Sequence, residues 1–316
     1  MNINSYTEWD ELKSMMVADI NVDNQLIQDD LFLIQGKHLK HLVQRLKDIL
    51  DNVCEILDKR NIKVVKPDPR KFKGNHRFPC LNIRDRLGVI GQHLIEYSYG
   101  EKYKSSTNCY KNLHIDFKFP KFTNDLIWNQ DEIKNNVPYL EGANLIKCGS
   151  IIFTTLKETG NELGISVLET IIGKNFKVIP ITTVDNHLDA HINFINNKLM
   201  LYDARMDISE IKPHIPNVKT VPILYERIKE IDIVWPDIQD DDIENTNLLM
   251  SNTISIDPET VICLNAKPKD INFFKEHNIN CITINWPEQW VVNAGLHCFT
   301  VDLERTGNLR NPFDKI

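Results

Sequence analysis

Four short stretches carry side chains able to do polar chemistry. GLHCFTVDLERTG, residues 295–307, sets His297 and Cys298 ahead of an alternating run. Cys298 can be a core residue, a metal ligand or a nucleophile, and a lone cysteine is most often the first. On an extended chain His297 and Cys298 point opposite ways. That makes them a poor chelating pair and leaves Cys298 alone on its face. DNHLDAH, 185–191, precedes an alternating apolar run and reads as a strand, which would put His187, Asp189 and His191 on one side. Three readings of that side stay open: a solvated strand face, a histidine base beside a carboxylate that grips a cation, or a metal site of two histidines and an aspartate. IRDRLGVIG (83–91) and YLEGANLIKCG (139–149) place Asp85 and Glu141 just before apolar strands, where turn residues and functional groups both collect. Together these stretches supply an acid, a base, a thiol and further carboxylates, all at strand ends.

The elements that must position them are legible from periodicity. HLKHLVQRLKDILDNVCEILDKR, 38–60, repeats apolar residues at three-four spacing and predicts an amphipathic helix. Strands are expected at IKVV (62–65), LGVIG (87–91), FKVIPIT (176–182), SNTISID (251–257), TVICLNA (260–266) and INCITIN (279–285). Hairpins are expected at 144–153, turning at Cys148–Gly149, and at 191–203, turning at Asn196–Asn197. Leu156–Ile172 fits a helix, and a helical turn fits DINFFKEHN. Helices and short strands thus alternate from end to end, which is α/β. No sequence repeat is visible, and no glycine-rich strand–turn–helix marks a nucleotide site. Region 100–140 is polar and aperiodic, and a loop that long is more often functional than idle. No composition break divides the chain, so one domain over 1–316 is expected.

Bulk properties narrow the function. The chain has 316 residues, 42% hydrophobic and 26% charged, enough for a large core. A net charge of −7 argues against a general nucleic-acid binder. The seven cysteines are scattered with no CxxC pair, which argues against zinc ribbons and structural disulfides and for a reducing, cytoplasmic setting. The opening MNINSYTEWDELKS has no apolar core of a signal peptide, and no apolar run is long enough for a bilayer.

Taken in order, NSYTEWDELKSMMVAD (4–19), VVKPDP (64–69), NIRDRLGVIGQHLIE (82–96), PKFTNDLIWNQ (120–130), EGANLIKCGSIIF (141–153), HLDAHINFI (187–195), NLLMSNTISIDPETVIC (247–263) and the Cys298 stretch resemble the guanidino-modifying superfamily. Within it the likeness is to the arginine amidinotransferases, collinear over nearly the whole chain. The resemblance implies a five-bladed α/β propeller of ββαβ units, the pentein fold. It implies Cys298 as nucleophile, His187 as general acid/base and Glu141 as the acid that orients it. Asp85 and Asp189 would hold the guanidinium. Arg205, after a one-residue gap, would meet the substrate's α-carboxylate, and Asn245 and Thr246 fall where the family carries two serines. No metal, nucleotide or redox cofactor is implied. Expected partners are L-arginine and an amine acceptor, with no nucleic acid or membrane; the family is often homodimeric, and specialised metabolism is the expected setting. An arginine deiminase or dihydrolase is the alternative enzyme, and a non-catalytic arginine-binding relative is the alternative outside enzymes. Departures from the family are Asn144 for the second acid of its D/E-x-x-D element, Ala294 in place of a glycine, and His191 where a small residue is usual, which reads as a core histidine.

Overall fold

A computed structural model describes residues 2–23, 33–34, 37–72, 80–98, 108–110, 113–119, 137–156, 159–184, 187–223, 252–286 and 294–314. In chain order the main elements are β1 (Leu12–Val17), α1 (Leu39–Asp58), β2 (Lys63–Val65), β3 (Leu87–Ile90), β4 (His93–Glu96), β5 (Phe117–Lys118), β6 (Leu145–Cys148), β7 (Ile151–Thr155), α2 (Glu162–Ile172) and β8 (Lys177–Ile181). They continue with β9 (Ile192–Asn196), β10 (Leu199–Asp203), β11 (Lys219–Ile223), β12 (Ile254–Asp257), β13 (Thr260–Leu264), α3 (Pro268–Glu276), β14 (Asn280–Ile284) and β15 (Thr300–Arg305). A helical turn, Ile83–Arg86, leads into β3.

One pattern recurs in five three-stranded sheets: β15-β1-β2, β3-β4-β5, β6-β7-β8, β9-β10-β11 and β12-β13-β14. In each, an antiparallel pair is followed by a third strand parallel to the middle one. A parallel neighbour needs a crossover. α1 supplies it between β1 and β2, α2 between β7 and β8, and α3 between β13 and β14. The repetition escapes the sequence because strand pairing, not residue identity, defines it. The first sheet joins β1 to β15, residues nearly three hundred positions apart.

The helices form for local reasons. In α1, Leu42, Val43, Leu46, Ile49, Leu50, Val53 and Leu57 are buried and share one cluster with Leu12, Met15 and Met16 of β1. Each such apolar side chain contributes about 1.5–3 kcal/mol by leaving water. α2 starts later than its apolar pattern suggests because Asn161 caps it, its side chain accepting from the Gly164 backbone N–H at 2.8 Å. The 144–153 hairpin turns at Gly149–Ser150 and the next at Asn197–Lys198, each one residue beyond the expected place. Gly149 has φ +69°, the left-handed conformation that glycine adopts without a Cβ clash.

Charged side chains lie inside these layers. Lys147 of β6 bonds Asp302 of β15 at 2.5 Å and the Ser5 hydroxyl at 2.7 Å, with Glu8 at 3.8 Å. Arg84 donates to Asp302 at 3.0 Å and to the backbone carbonyls of His297 and Thr300. Arg305 donates to Asp302 at 3.1 Å and to the Ser255 carbonyl. Each of these five charged residues is 5% exposed or less. Burial alone would raise the Glu8 carboxyl, but Lys147, the His297 hydrogen bond and Arg84 outweigh it and hold it at about 2. Asp302 is likewise held well below the ordinary range, against its own burial, by Lys147, Arg305 and Arg84. Removing one member strands the others without water or partner. Lys147→Met is therefore expected to lower unfolding stability by about 3–5 kcal/mol, while Lys59→Met, which removes an exposed ion pair to Glu55 just past the end of α1, changes it by less than about 0.5 kcal/mol. Urea unfolding midpoints of the two variants check this; equal effects would contradict it.

Candidate active site

Three short irregular segments bring the sequence-predicted residues together. Asp85 comes from the helical turn before β3 and Glu141 from the N-terminal cap of the 3-10 turn Gly142–Asn144. His187 caps the 3-10 turn Leu188–Ala190. Close packing sets the first two beside each other: a Cβ on Gly142 would lie 2.2 Å from the Arg84 carbonyl oxygen, so only glycine fits between them.

The strand expected over 185–191 is not what forms. His187 has φ +58°, and the 3-10 turn follows at once. This break in the extended path still turns His187 and Asp189 towards the site, but it sends His191 elsewhere. The His191 ring sits 1% exposed, its Nδ1 2.8 Å from Asp203, which fits the core reading. The expectation of Cys298 alone on its own face also fails. Residues 296–299 turn rather than extend, with the Asn252 side-chain oxygen accepting from the backbone N–H groups of His297 (2.8 Å) and Cys298 (3.3 Å). Both side chains consequently reach Asp189 Oδ2, His297 Nδ1 at 2.8 Å and Cys298 Sγ at 3.9 Å.

A histidine–carboxylate pair and a thiol share two acidic neighbours, Asp85 and Asp189. His187 Nε2 lies 2.8 Å from Glu141 Oε2, and His187 Nδ1 lies 4.0 Å from Asp85 Oδ1. The other Glu141 oxygen accepts from the Tyr139 hydroxyl at 2.5 Å. Cys298 Sγ accepts from Asn252 Nδ2 at 3.3 Å. Cys298 is buried, 7% exposed, at the edge of the largest apolar cluster, and its sulfur still meets two polar groups, Asn252 Nδ2 and Asp189 Oδ2. Asp85 Oδ1 and Asp189 Oδ1 are buried with no hydrogen-bond partner among the described residues. Buried acceptors of that kind are costly unless a ligand satisfies them.

Electrostatics follow from the crowding. Burial would lower the His187 imidazole, but the facing charges of Asp85, Glu141 and Asp189 overcome it and raise it to about 10. The Asp85 carboxyl is pushed up to about 7, first by burial, with His187 opposing and Glu141 and Asp189 adding. The Cys298 thiol stands well above its ordinary range, from burial first and then from Asp189 and Asp85; hydrogen bonds from Gly295 and Asn252 act the other way. At neutral pH the resting site therefore holds an imidazolium and a neutral thiol. A histidine raised this way stabilises the fold fully below pH about 6.5, and that contribution is lost as pH rises through about 10. Asp85, also raised, acts with the same sign: the cost of ionising it is absent below pH about 4 and grows as pH climbs to about 7.

Asp85, Glu141 and His187 also offer ligand atoms within 4.8 Å of one another, close enough to share a cation. Arg205 forks onto its neighbour Asp203, at 3.1 Å through Nη2, while its side chain stays 30% exposed. Asn245 and Thr246 lie outside the described residues. Asn144 exchanges hydrogen bonds with Thr159 and latches that loop. Glu8, Tyr139 and Asn252 were not expected at the site, and His297 was expected only as a poor chelating neighbour of Cys298. No spacing marks them, since each joins through a contact made only after folding.

No family model matches the chain. Along its length it is similar to inosamine-phosphate amidinotransferase 1 of Streptomyces griseus, 19% identical over 96% of this chain and 97% of that protein. It is also 22% identical to the mitochondrial glycine amidinotransferase of Gallus gallus, over 98% of this chain and 84% of that one. The solved structure of the Streptomyces griseus enzyme superposes with a TM-score of 0.74 at 18% identity, covering 99% of both chains. A DDAH from Pseudomonas aeruginosa, solved with citrulline, superposes at 0.59 and 12% identity over 92% of this chain and 99% of its own. The fold is thus the α/β pentein fold. No described helix is long and apolar enough to cross a membrane.

The charge state of His187 is directly measurable. Its imidazole is expected to remain doubly protonated at pH 8 by NMR titration, and Glu141→Gln to bring its midpoint down by about 1–3 units. A wild-type midpoint near 6.5 would refute the pairing.

Proposed function

The relatives place this chain in the amidinotransferase family, among the transferases; on that premise we propose that it moves the amidino group of L-arginine to a primary amine by way of Cys298, releasing L-ornithine. One observation carries the reading: two buried carboxylate oxygens, Asp85 Oδ1 and Asp189 Oδ1, have no hydrogen-bond partner among the described residues, one acid lying against the Cys298 thiol and the other against the His187–Glu141 pair. A guanidinium is planar, cationic and rich in N–H donors, which suits it to two such acceptors.

The resting thiol is a poor nucleophile because burial, and after it the negative charge of Asp189 and Asp85, keeps its proton on. A guanidinium bound between them cancels that charge, so the thiol proton leaves to solvent as the cation enters. The thiolate attacks the guanidinium carbon and a carbon–sulfur bond forms. His187, already protonated, gives its proton to the departing nitrogen as the carbon–nitrogen bond breaks. That leaves S-amidino-Cys298 and ornithine. Neutral His187, held by Glu141, then takes a proton from the incoming amine, whose nitrogen bonds the amidino carbon and expels the thiolate. Arg205, with Asn245 and Thr246, is assigned to the amino-acid end of arginine. No metal or redox step enters this sequence.

The DDAH likeness keeps hydrolysis as the second reading, with water in place of the amine. Incubation with arginine and a panel of amines separates the two. Ornithine and a new guanidino compound that appear only with an added amine support transfer; citrulline or ammonia from arginine alone supports hydrolysis. Cys298→Ser is expected to cut turnover by about 10⁴-fold or more with the fold intact, and residual activity near wild type would end the covalent route. Asp189→Asn is expected to lower kcat/KM for arginine about 10- to 100-fold; an unchanged value would remove Asp189 from substrate binding.

A further inference from the structure

We propose that His297 is a positioning residue which clamps Asp189 from behind, so that the free Asp189 oxygen is presented to the substrate cation. The inference deepens the arginine reading and rests on it for its kinetic arm only.

His297 is nine-tenths buried, and both ring nitrogens meet carboxylates: Nδ1 lies 2.8 Å from Asp189 Oδ2, and Nε2 lies 3.3 Å from Glu8 Oε2. Among the described residues His297 supplies the one nitrogen bonded to the Asp189 carboxylate. The imidazole is itself fixed at both backbone ends. The backbone N–H of His297 donates to Asn252 Oδ1 at 2.8 Å, and its backbone carbonyl accepts from Arg84 Nε at 2.9 Å. Glu8 cannot drift, since the Lys147 backbone N–H donates to its Oε1 at 3.1 Å and Arg84 and Lys147 stand 3.8 Å away. A carboxylate with one oxygen pinned cannot rotate about its last bond. The other oxygen, Asp189 Oδ1, is the buried one without a partner. Pre-set orientation of this kind lowers what binding must spend on ordering. Gly295 permits the arrangement: a Cβ there would lie 2.3 Å from Asn252 Oδ1 and push away the amide that holds the turn.

Two substitutions separate positioning from bulk structure, because they keep opposite halves of the imidazole. In His297→Asn the amide nitrogen falls near the Nδ1 position and can still donate to Asp189, while contact with Glu8 is lost. In His297→Gln the amide falls near Nε2, so Glu8 keeps its partner and Asp189 loses its own. Steady-state kinetics are expected to show a KM for arginine about tenfold higher in the Gln variant than in the Asn variant, with kcat of the two within about threefold. Equal KM values in the two variants, or a loss confined to kcat, would overturn the proposal. Crystal structures of both variants decide it independently of substrate. Asp189 should keep its orientation in the Asn variant and swing in the Gln variant; an unmoved carboxylate in the Gln variant overturns the inference. Should the Gln variant not fold, His297→Ala, which also releases Asp189, takes its place in both measurements. Absence of arginine turnover in the wild type would count against the arginine reading alone, leaving the crystallographic comparison to judge His297.

Discussion

Charge that has left water must find charge of the opposite sign, and in this protein that requirement organises the centre. Lys147, Arg84 and Arg305 surround Asp302, and Glu8 lies between Arg84, Lys147 and His297. The participants come from the opening segment, the turn before β3, strand β6 and strand β15. Such ion pairs return little net stability over an apolar core of equal volume. Their effect is to forbid other arrangements, since any slip of one segment strands a charge. Arg84 ties this network to the site twice: it directly precedes Asp85, and it holds the carbonyl of His297, the residue before Cys298.

That coupling explains how much could be read in advance. Elements built on short-range periodicity were legible: α1 from its three-four apolar spacing, the hairpins from alternation and turn residues, the late strands from their apolar runs. The five acid, base and thiol positions were also legible, because carboxylates before apolar strands and a lone cysteine are features of the string itself, and because the collinear likeness linked them. What escaped depends on partners far along the chain. Five sheets of one topology leave no repeat in residue identity, as the pairing is made by backbone. His187 and Cys298 were expected on straight strands, yet both sit in turns that only Leu188 burial and the Asn252 amide make stable.

In the proposed reaction the site works as an exchange of cations for protons. Without ligand, burial and the acids that face Cys298 keep its sulfur neutral. Binding of a cation offsets the charge of those acids, so reactivity arrives with the substrate rather than before it. A neutral analogue of the same shape would fill the space and leave the thiol as it was. Selectivity for charge and activation of the nucleophile are here one electrostatic event.

His187 holds its ring in place from a backbone geometry that suits a residue without a side chain. Its φ of +58° lies where glycine sits freely. Deleting the imidazole by putting glycine there would relax the main chain while opening a ring-sized void flanked by Glu141 and Asp85. Free imidazole in solution has the shape, the donors and the charge to occupy that void, so the lost proton carrier becomes an additive whose concentration, and whose substituents, can be set at will.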